Sequence, residues 1–231
     1  MARLPRLVAP GELHLALWRG HHGLAVFRDD QDRRDFLALM QEQLSHHDLQ
    51  LHAYVLLDHE VQMLVTPVTG DALALWMQGV GRAYGRRYNV RHGLTGTLWD
   101  GRFRSTVLEG DQIWLAMVCM DLAPVRAGLA PGPEAYPWSS HAHYRGWRND
   151  GWLAPHARWW ALGNTPFARE AAYAQRVQQG LSSVDVARLD AAVRSGWPLG
   201  STAFLQALEA QTGRRVTKER AGRPRKIAAD D

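Results

Sequence analysis

LQLHAYVLLDHEVQMLVTP, running from Leu49 to Pro67, is the stretch whose reading decides the fold. Leu49 to Leu57 and Val61 to Thr66 are apolar runs rich in strand-forming residues, and the polar triplet Asp58-His59-Glu60 between them is short enough for a hairpin turn. In a strand successive side chains alternate between faces. Glu60 and Gln62 therefore share one face while Val61 points to the other, and His59 is a turn residue.

Working outward, Leu13 to Trp18 reads as a strand ended by an Arg19-Gly20 turn. Asp29 and Asp30 can cap a helix from Gln31 to His46, with Phe36, Leu37, Met40 and Leu44 on one face. Asp71 opens another helix, through Trp76, Val80 and Tyr84 to about Asn89. Thr97 to Leu108 reads as extended, and Asp111 starts a helix through Met117 and Leu122 that is expected to stop at Pro124. This order is α+β, with an antiparallel sheet and helices on one face. The expected division is a main domain over 1–148, a helical, aromatic-rich extension over 149–212 and a basic, disordered tail over 213–231.

The composition of the 231 residues, 46% hydrophobic and 22% charged, supplies enough apolar material for a core. No apolar run approaches the roughly 18 residues of a membrane span, and the first residues hold no apolar signal core, so a bacterial cytoplasmic protein is expected. The single cysteine, Cys119, excludes an intrachain disulfide and a Cys-rich zinc site. Net charge is +4, unevenly spread: Arg82 to Arg104 carries +5 and Arg214 to Lys226 carries +6, leaving about −7 elsewhere. Two concentrated basic segments on an otherwise acidic chain are the electrostatic footprint of a polyanion site.

GRAYGRRYNVRHGLTGTLWDGRFRS (Gly81 to Ser105) places Arg82, Arg86 and Asn89 near one side of the expected helix, with Arg87 and Arg91 flanking and Arg102 and Arg104 following. Arginines bind phosphate bidentately, and Tyr84, Tyr88, Trp99 and Phe103 are candidate stacking surfaces for unpaired bases. Ala221 to Lys226 contains Gly-Arg-Pro-Arg, a proline-extended segment whose Arg223, Arg225 and Lys226 suit a narrow minor groove.

Taken together, VLLDHEVQMLVTP (Val55 to Pro67), TGTLWDGRFRS (Thr95 to Ser105) and DLAPVRAGL (Asp121 to Leu129) resemble the REP-associated tyrosine transposases, single-tyrosine members of the HUH class of DNA-processing enzymes. YPWSSHAHY (Tyr136 to Tyr144) is similar to that family's closing segment. The resemblance implies a ferredoxin-like sheet, which the pattern alone does not select. It also implies recognition of hairpin or single-stranded DNA, a monomeric or homodimeric state and a nucleoid-associated location.

In that family two histidines hold a divalent cation that polarises the scissile phosphate, and a tyrosine on a nearby helix attacks. Where its members read N-H-V-H-L-L, this chain has His59, Glu60, Val61, Gln62, Met63 and Leu64. Where they read Y-I-E-L-N-P-V-R-A-G, it has Cys119 at the nucleophile position, Ala123 in place of the amide, and Arg126 within the retained Val-Arg-Ala-Gly. Glu60 and Gln62 thus stand at the ligand positions with oxygens suited to a hard ion such as Mg²⁺. No cofactor is expected unless the site still cleaves, in which case Mg²⁺ is the candidate. Two functional readings follow: a DNA-binding protein on a transposase scaffold without cleavage, and a metal-dependent transposase with a substituted site. A decayed insertion-element relic is a third.

Overall fold

The computed structural model describes residues 6–217. The chain runs β1 (Leu13–Arg19), α1 (Asp30–Leu44), β2 (Leu49–Leu57), β3 (Glu60–Pro67), α2 (Ala72–His92) and β4 (Arg104–Leu108). It continues through α3 (Ile113–Asp121), α4 (Ala123–Arg126), α5 (His141–Tyr144), α6 (Ala157–Trp160), α7 (Pro166–Gln179), α8 (Ser183–Ser195) and α9 (Thr202–Thr212). The strands form one antiparallel sheet in the order β2-β3-β1-β4, the ferredoxin-like arrangement. No helix among the described residues is long and apolar enough to cross a membrane.

The hairpin closes one residue earlier than expected, with Glu60 already in β3 opposite Leu57 and only Asp58 and His59 in the turn. A register shift between Leu51 and Ala53 sets His52 into a bulge, so Leu49 and Leu51 fall on the same face as Tyr54 and Leu56. On that face α1 and α2 pack over Ala16, Trp18, Val61, Met63 and Val65, with Phe36, Trp76 and Tyr84 fully buried between the layers. Asp29 caps α1 by accepting from the backbone N–H groups of Gln31 and Asp32. The helix-to-sheet approach is close at one point: a Cβ on Gly81 would stand 2.0 Å from Trp18 Cη2.

The second face is covered as well. Leu13, Leu15, Ala53, Val55 and Leu64 lie beneath α3, joined there by Tyr173 and Val177 from α7 and Leu189 and Val193 from α8. The extension therefore shares a core with the sheet. A buried polar contact ties it down: Asp121, at the end of α3, accepts from Tyr173 Oη at 2.6 Å and sits 2.6 Å from His141 Nδ1.

Three local expectations are corrected. The helix opened near Asp111 does not stop at Pro124. It pauses at Leu122, and α4 restarts with Pro124 in its first turn, where the missing N–H costs nothing. Of the stretch expected to be extended, only Arg104–Leu108 is strand. Leu98 to Gly101 instead wraps the end of β1, through Gly20 bridging Trp99, and turns at Gly101 with φ of +64°. The stretch expected as a turn at Arg19 is the last residue of β1, paired with Glu60.

Both sheet edges are covered by later chain. Leu56 N–H donates to Trp138 and Ser140 N–H to Tyr54 along β2, while Leu199 runs parallel to Leu108 beside β4. The tail residues Arg223, Arg225 and Lys226, and the disorder expected around them, lie outside the described residues.

Candidate nucleic-acid interface

Alternation from the hairpin places Glu60, Gln62 and Leu64 on the α3 side of the sheet. Across the β1–β3 ladder Arg19 is the partner of Glu60. Its guanidinium closes on Glu60 Oε2, and Gln62 Nε2 donates to Glu60 Oε1 at 2.6 Å. Both oxygens of the one carboxylate at the expected ligand positions are thus engaged by donors, one of them cationic. Among the described residues no group of three or more His, Cys, Asp and Glu side chains is placed to hold a metal ion. A carboxylate already neutralised by a guanidinium, next to an amide turned to donate, is a donor set that does not fit a divalent cation.

Cys119 lies on α3 on this same side and is 4% exposed. Arg126 donates to its carbonyl at 2.6 Å and to Sγ at 3.2 Å. Burial pushes the thiol above its ordinary range; the Arg126 guanidinium opposes this, and the charges of Asp190 and Glu60 reinforce it. The group therefore stays a protonated thiol at neutral pH, a poor nucleophile. Asp121, two residues on, is committed to Tyr173 and His141, and Ala123 is buried and carries no donor.

The second basic block builds a different feature. An open groove of about 640 Å³ lies between α2 and the loop from Gly96 to Phe103. The loop is braced against the helix by Asn89 Nδ2, which donates to Gly96 at 2.9 Å. Arg82 and Arg86 rise from α2 and Arg102 from the loop. All three are exposed, and among the described residues none of them makes an ion pair or hydrogen bond. Gly85 leaves open space on the helix surface between them, since a Cβ there would touch nothing within 4 Å. The arrangement presents three uncompensated guanidinium groups along one concave surface, which is what a phosphate backbone requires.

The other expected contacts divide from these. Arg91 is paired with Asp29 at 2.6 Å and with Asp32, and this holds the Asp29 carboxyl well below the usual range. Arg87 lies 3.4 Å from Asp35. Both fasten α2 to α1. Arg104 donates to the Arg194 carbonyl at 3.1 Å, and Arg126 is engaged with Cys119 on α3.

The aromatic stacking surfaces are corrected outright. Trp99 and Phe103 are only 6% and 7% exposed. Trp99 stacks on Trp18 at 4.3 Å and donates to the Gly81 carbonyl, while Arg6 lies 3.8 Å above the Phe103 ring. Tyr84 and Tyr88 are buried with their hydroxyls on the Val26 and Ala25 carbonyls. These rings have their faces occupied inside the protein; they shape the groove from beneath and offer bases nothing to stack on. Sequence reasoning missed Arg19 and Arg6. For Arg19 the signal was present, since Leu13, Leu15 and Leu17 alternate directly into it. For Arg6 there was none.

No protein-family model matches the chain, and no curated protein does. Among solved structures, that of a REP-associated tyrosine transposase bound to a REP hairpin superposes with a TM-score of 0.52 and 13% identity, covering 67% of this chain and 89% of that one. A presumed transposase from Deinococcus radiodurans gives 0.36 and 14%, over 48% of this chain and 89% of that one. At such identities the first likeness is one of architecture. The chain has a transposase-like α+β fold.

Proposed function

We propose that this chain is a DNA-binding protein built on a REP-associated tyrosine transposase scaffold, that it holds hairpin or single-stranded DNA, and that it does not cleave it. The observation that carries the reading is a contrast between two sites. Arg82, Arg86 and Arg102 line an open groove without ion-pair partners among the described residues, whereas Glu60 is sealed by Arg19 and Gln62. A charge left uncompensated at the surface is available to a polyanion; a carboxylate so paired is not available to a cation. The hairpin in the superposed transposase structure supports the choice of ligand.

The test is a gel assay with an end-labelled single-stranded hairpin in Mg²⁺, Mn²⁺ or EDTA, run beside the Glu60→His, Gln62→His, Cys119→Tyr variant. The expected outcome is a salt-sensitive complex on native gels and an intact strand on denaturing gels. Absence of a complex at low salt removes the DNA-binding reading. The competing reading is metal-dependent cleavage, favoured by the fact that Glu60, Gln62 and Cys119 share one side of the sheet. Strand cleavage, or a covalent adduct, that EDTA abolishes in the natural protein would establish it.

A further inference from the structure

A second basic cavity, outside the groove, lies where the two ends of the described chain meet. At the end of α8 the chain turns at Gly196, with φ of +76°, and runs back beside β4. Thr106 Oγ1 donates to the Trp197 carbonyl at 2.6 Å and Leu199 N–H to Val107 at 2.9 Å, which holds this return segment against the strand. Between the turn, the start of β4, the segment at Arg6 and the segment after α9 is a half-open space of about 260 Å³.

Six arginines line it: Arg6, Arg102, Arg104, Arg194, Arg214 and Arg215. No Asp or Glu is among the described residues that do. Arg102 and Arg104 form no ion pair among the described residues, and Arg194 is paired with Asp190 at 3.2 Å along α8. Arg104 donates to the neutral Arg194 carbonyl, a contact that orients the group without cancelling its charge.

Guanidinium groups gathered around one space, with no carboxylate among the described lining residues, are the chemistry of a tetrahedral oxyanion site. Position argues for where the anion comes from. Arg6, Arg102 and Phe103 line both this cavity and the α2 groove, so the two spaces meet at Arg102. We propose that the arginine cavity is a phosphate site that receives a backbone or terminal phosphate of the strand lying in the groove. This rests on the DNA-binding reading above and extends the interface onto the return segment after α8. The extension is thereby a part of the binding surface, with Arg194 as its contribution.

Two measurements on the full chain test this. The first compares thermal stability in inorganic phosphate and in chloride at equal ionic strength, for the natural protein and for Arg104→Gln with Arg194→Gln. The second measures hairpin affinity against salt for the same two proteins, for Arg86→Gln as a groove control, and for Arg104→Lys with Arg194→Lys. Both residues are at the surface, and circular dichroism checks that the variants fold. The expected result is stabilisation by phosphate that the glutamine pair loses. Hairpin binding is expected to weaken several-fold, with the salt slope falling by about one unit per phosphate contact removed, and the lysine pair restoring most of the slope. An unchanged slope in the glutamine pair, with a reduced one in Arg86→Gln, overturns the proposal while leaving the DNA-binding reading intact. If the natural protein binds no hairpin at low salt, that reading fails by itself. Phosphate stabilisation lost in the glutamine pair then marks a free-anion site, and the strand assignment is overturned. No phosphate effect and no change in slope overturns the site altogether.

Discussion

Arg19 and Glu60 face one another as cross-strand partners on β1 and β3, and the guanidinium occupies one oxygen of the carboxylate that would otherwise point into the space beneath α3. Placing histidines at this site is therefore not expected to be sufficient to make a metal centre, because the Arg19 cation remains beside the ligand positions. Glu60→His with Gln62→His is expected to bind Mn²⁺ weakly by isothermal titration. Adding Arg19→Ala is expected to tighten binding at least tenfold. Arg19→Ala alone should cost about 1 kcal/mol or less of stability, since Arg19 is half exposed. Equal Mn²⁺ affinity with and without Arg19 would show that the guanidinium does not block the site.

The arginines of the second basic block should separate into two classes. Arg86→Ala and Arg102→Ala are expected to weaken hairpin binding and reduce its salt slope by about one unit each, with little change in stability. Arg91→Ala is expected to do the reverse, because its charge is committed to Asp29 and Asp32. Loss of DNA affinity in Arg91→Ala equal to that in Arg86→Ala would contradict this division.

Asp121 is buried and relies on the Tyr173 hydroxyl and His141 for compensation. Tyr173→Phe removes one partner and leaves the carboxylate under-satisfied at a cost of about 1–3 kcal/mol. Urea unfolding should show the lower midpoint as one transition, because the extension and the sheet share a core. A separate early transition for the extension would mean that the two parts unfold independently.

Stability should fall as the pH drops from about 6.5 towards 4. Burial lowers His14 and His52 from 6.5 to about 4 in the folded state. Both groups are then neutral in the folded chain while the unfolded chain takes up protons below pH 6.5. Their contribution is complete above pH 6.5 and is lost as the pH falls towards 4, on the order of 3 kcal/mol for each. Urea midpoints between pH 7.5 and 4.5 would show this slope, and His52→Gln should flatten part of it. A midpoint constant across that range would rule it out.

Gly81→Ala should be among the most damaging small substitutions. The new methyl meets a Trp18 ring already held between Trp99 and Phe103, so the ring cannot swing aside freely. Overpacking of this kind costs about 1–3 kcal/mol, measurable as a lowered Tm against Gly85→Ala, which meets open space.

What was legible in the sequence was what depends on local period. The hairpin, the Asp29 cap and the shared face of Glu60 and Gln62 follow from alternation and turn chemistry within a few residues. What was not legible depends on partners far along the chain. Arg91 looked like a phosphate contact because Asp29 and Asp32 are some sixty residues away. Trp99 looked like a stacking platform because its covering partner, Trp18, lies on β1, some eighty residues earlier in the chain. The pause at Leu122 was missed because a proline that ends one helix is equally suited to begin the next.

The covered edge of β4 bears on how the chain matures. Its flank is completed by Leu199 and its neighbour Trp197, and the buried Asp121 acquires its hydroxyl partner only from Tyr173. During synthesis, a chain emerging up to the end of α4 holds all four strands but presents an unpaired strand edge and a lone carboxylate beneath the sheet. Folding of the second face must therefore wait for about seventy further residues to leave the ribosome, a delay set by the sequence distance of the closing contacts. Nascent chains arrested before Leu199 should be the aggregation-prone species, and those released after it should not.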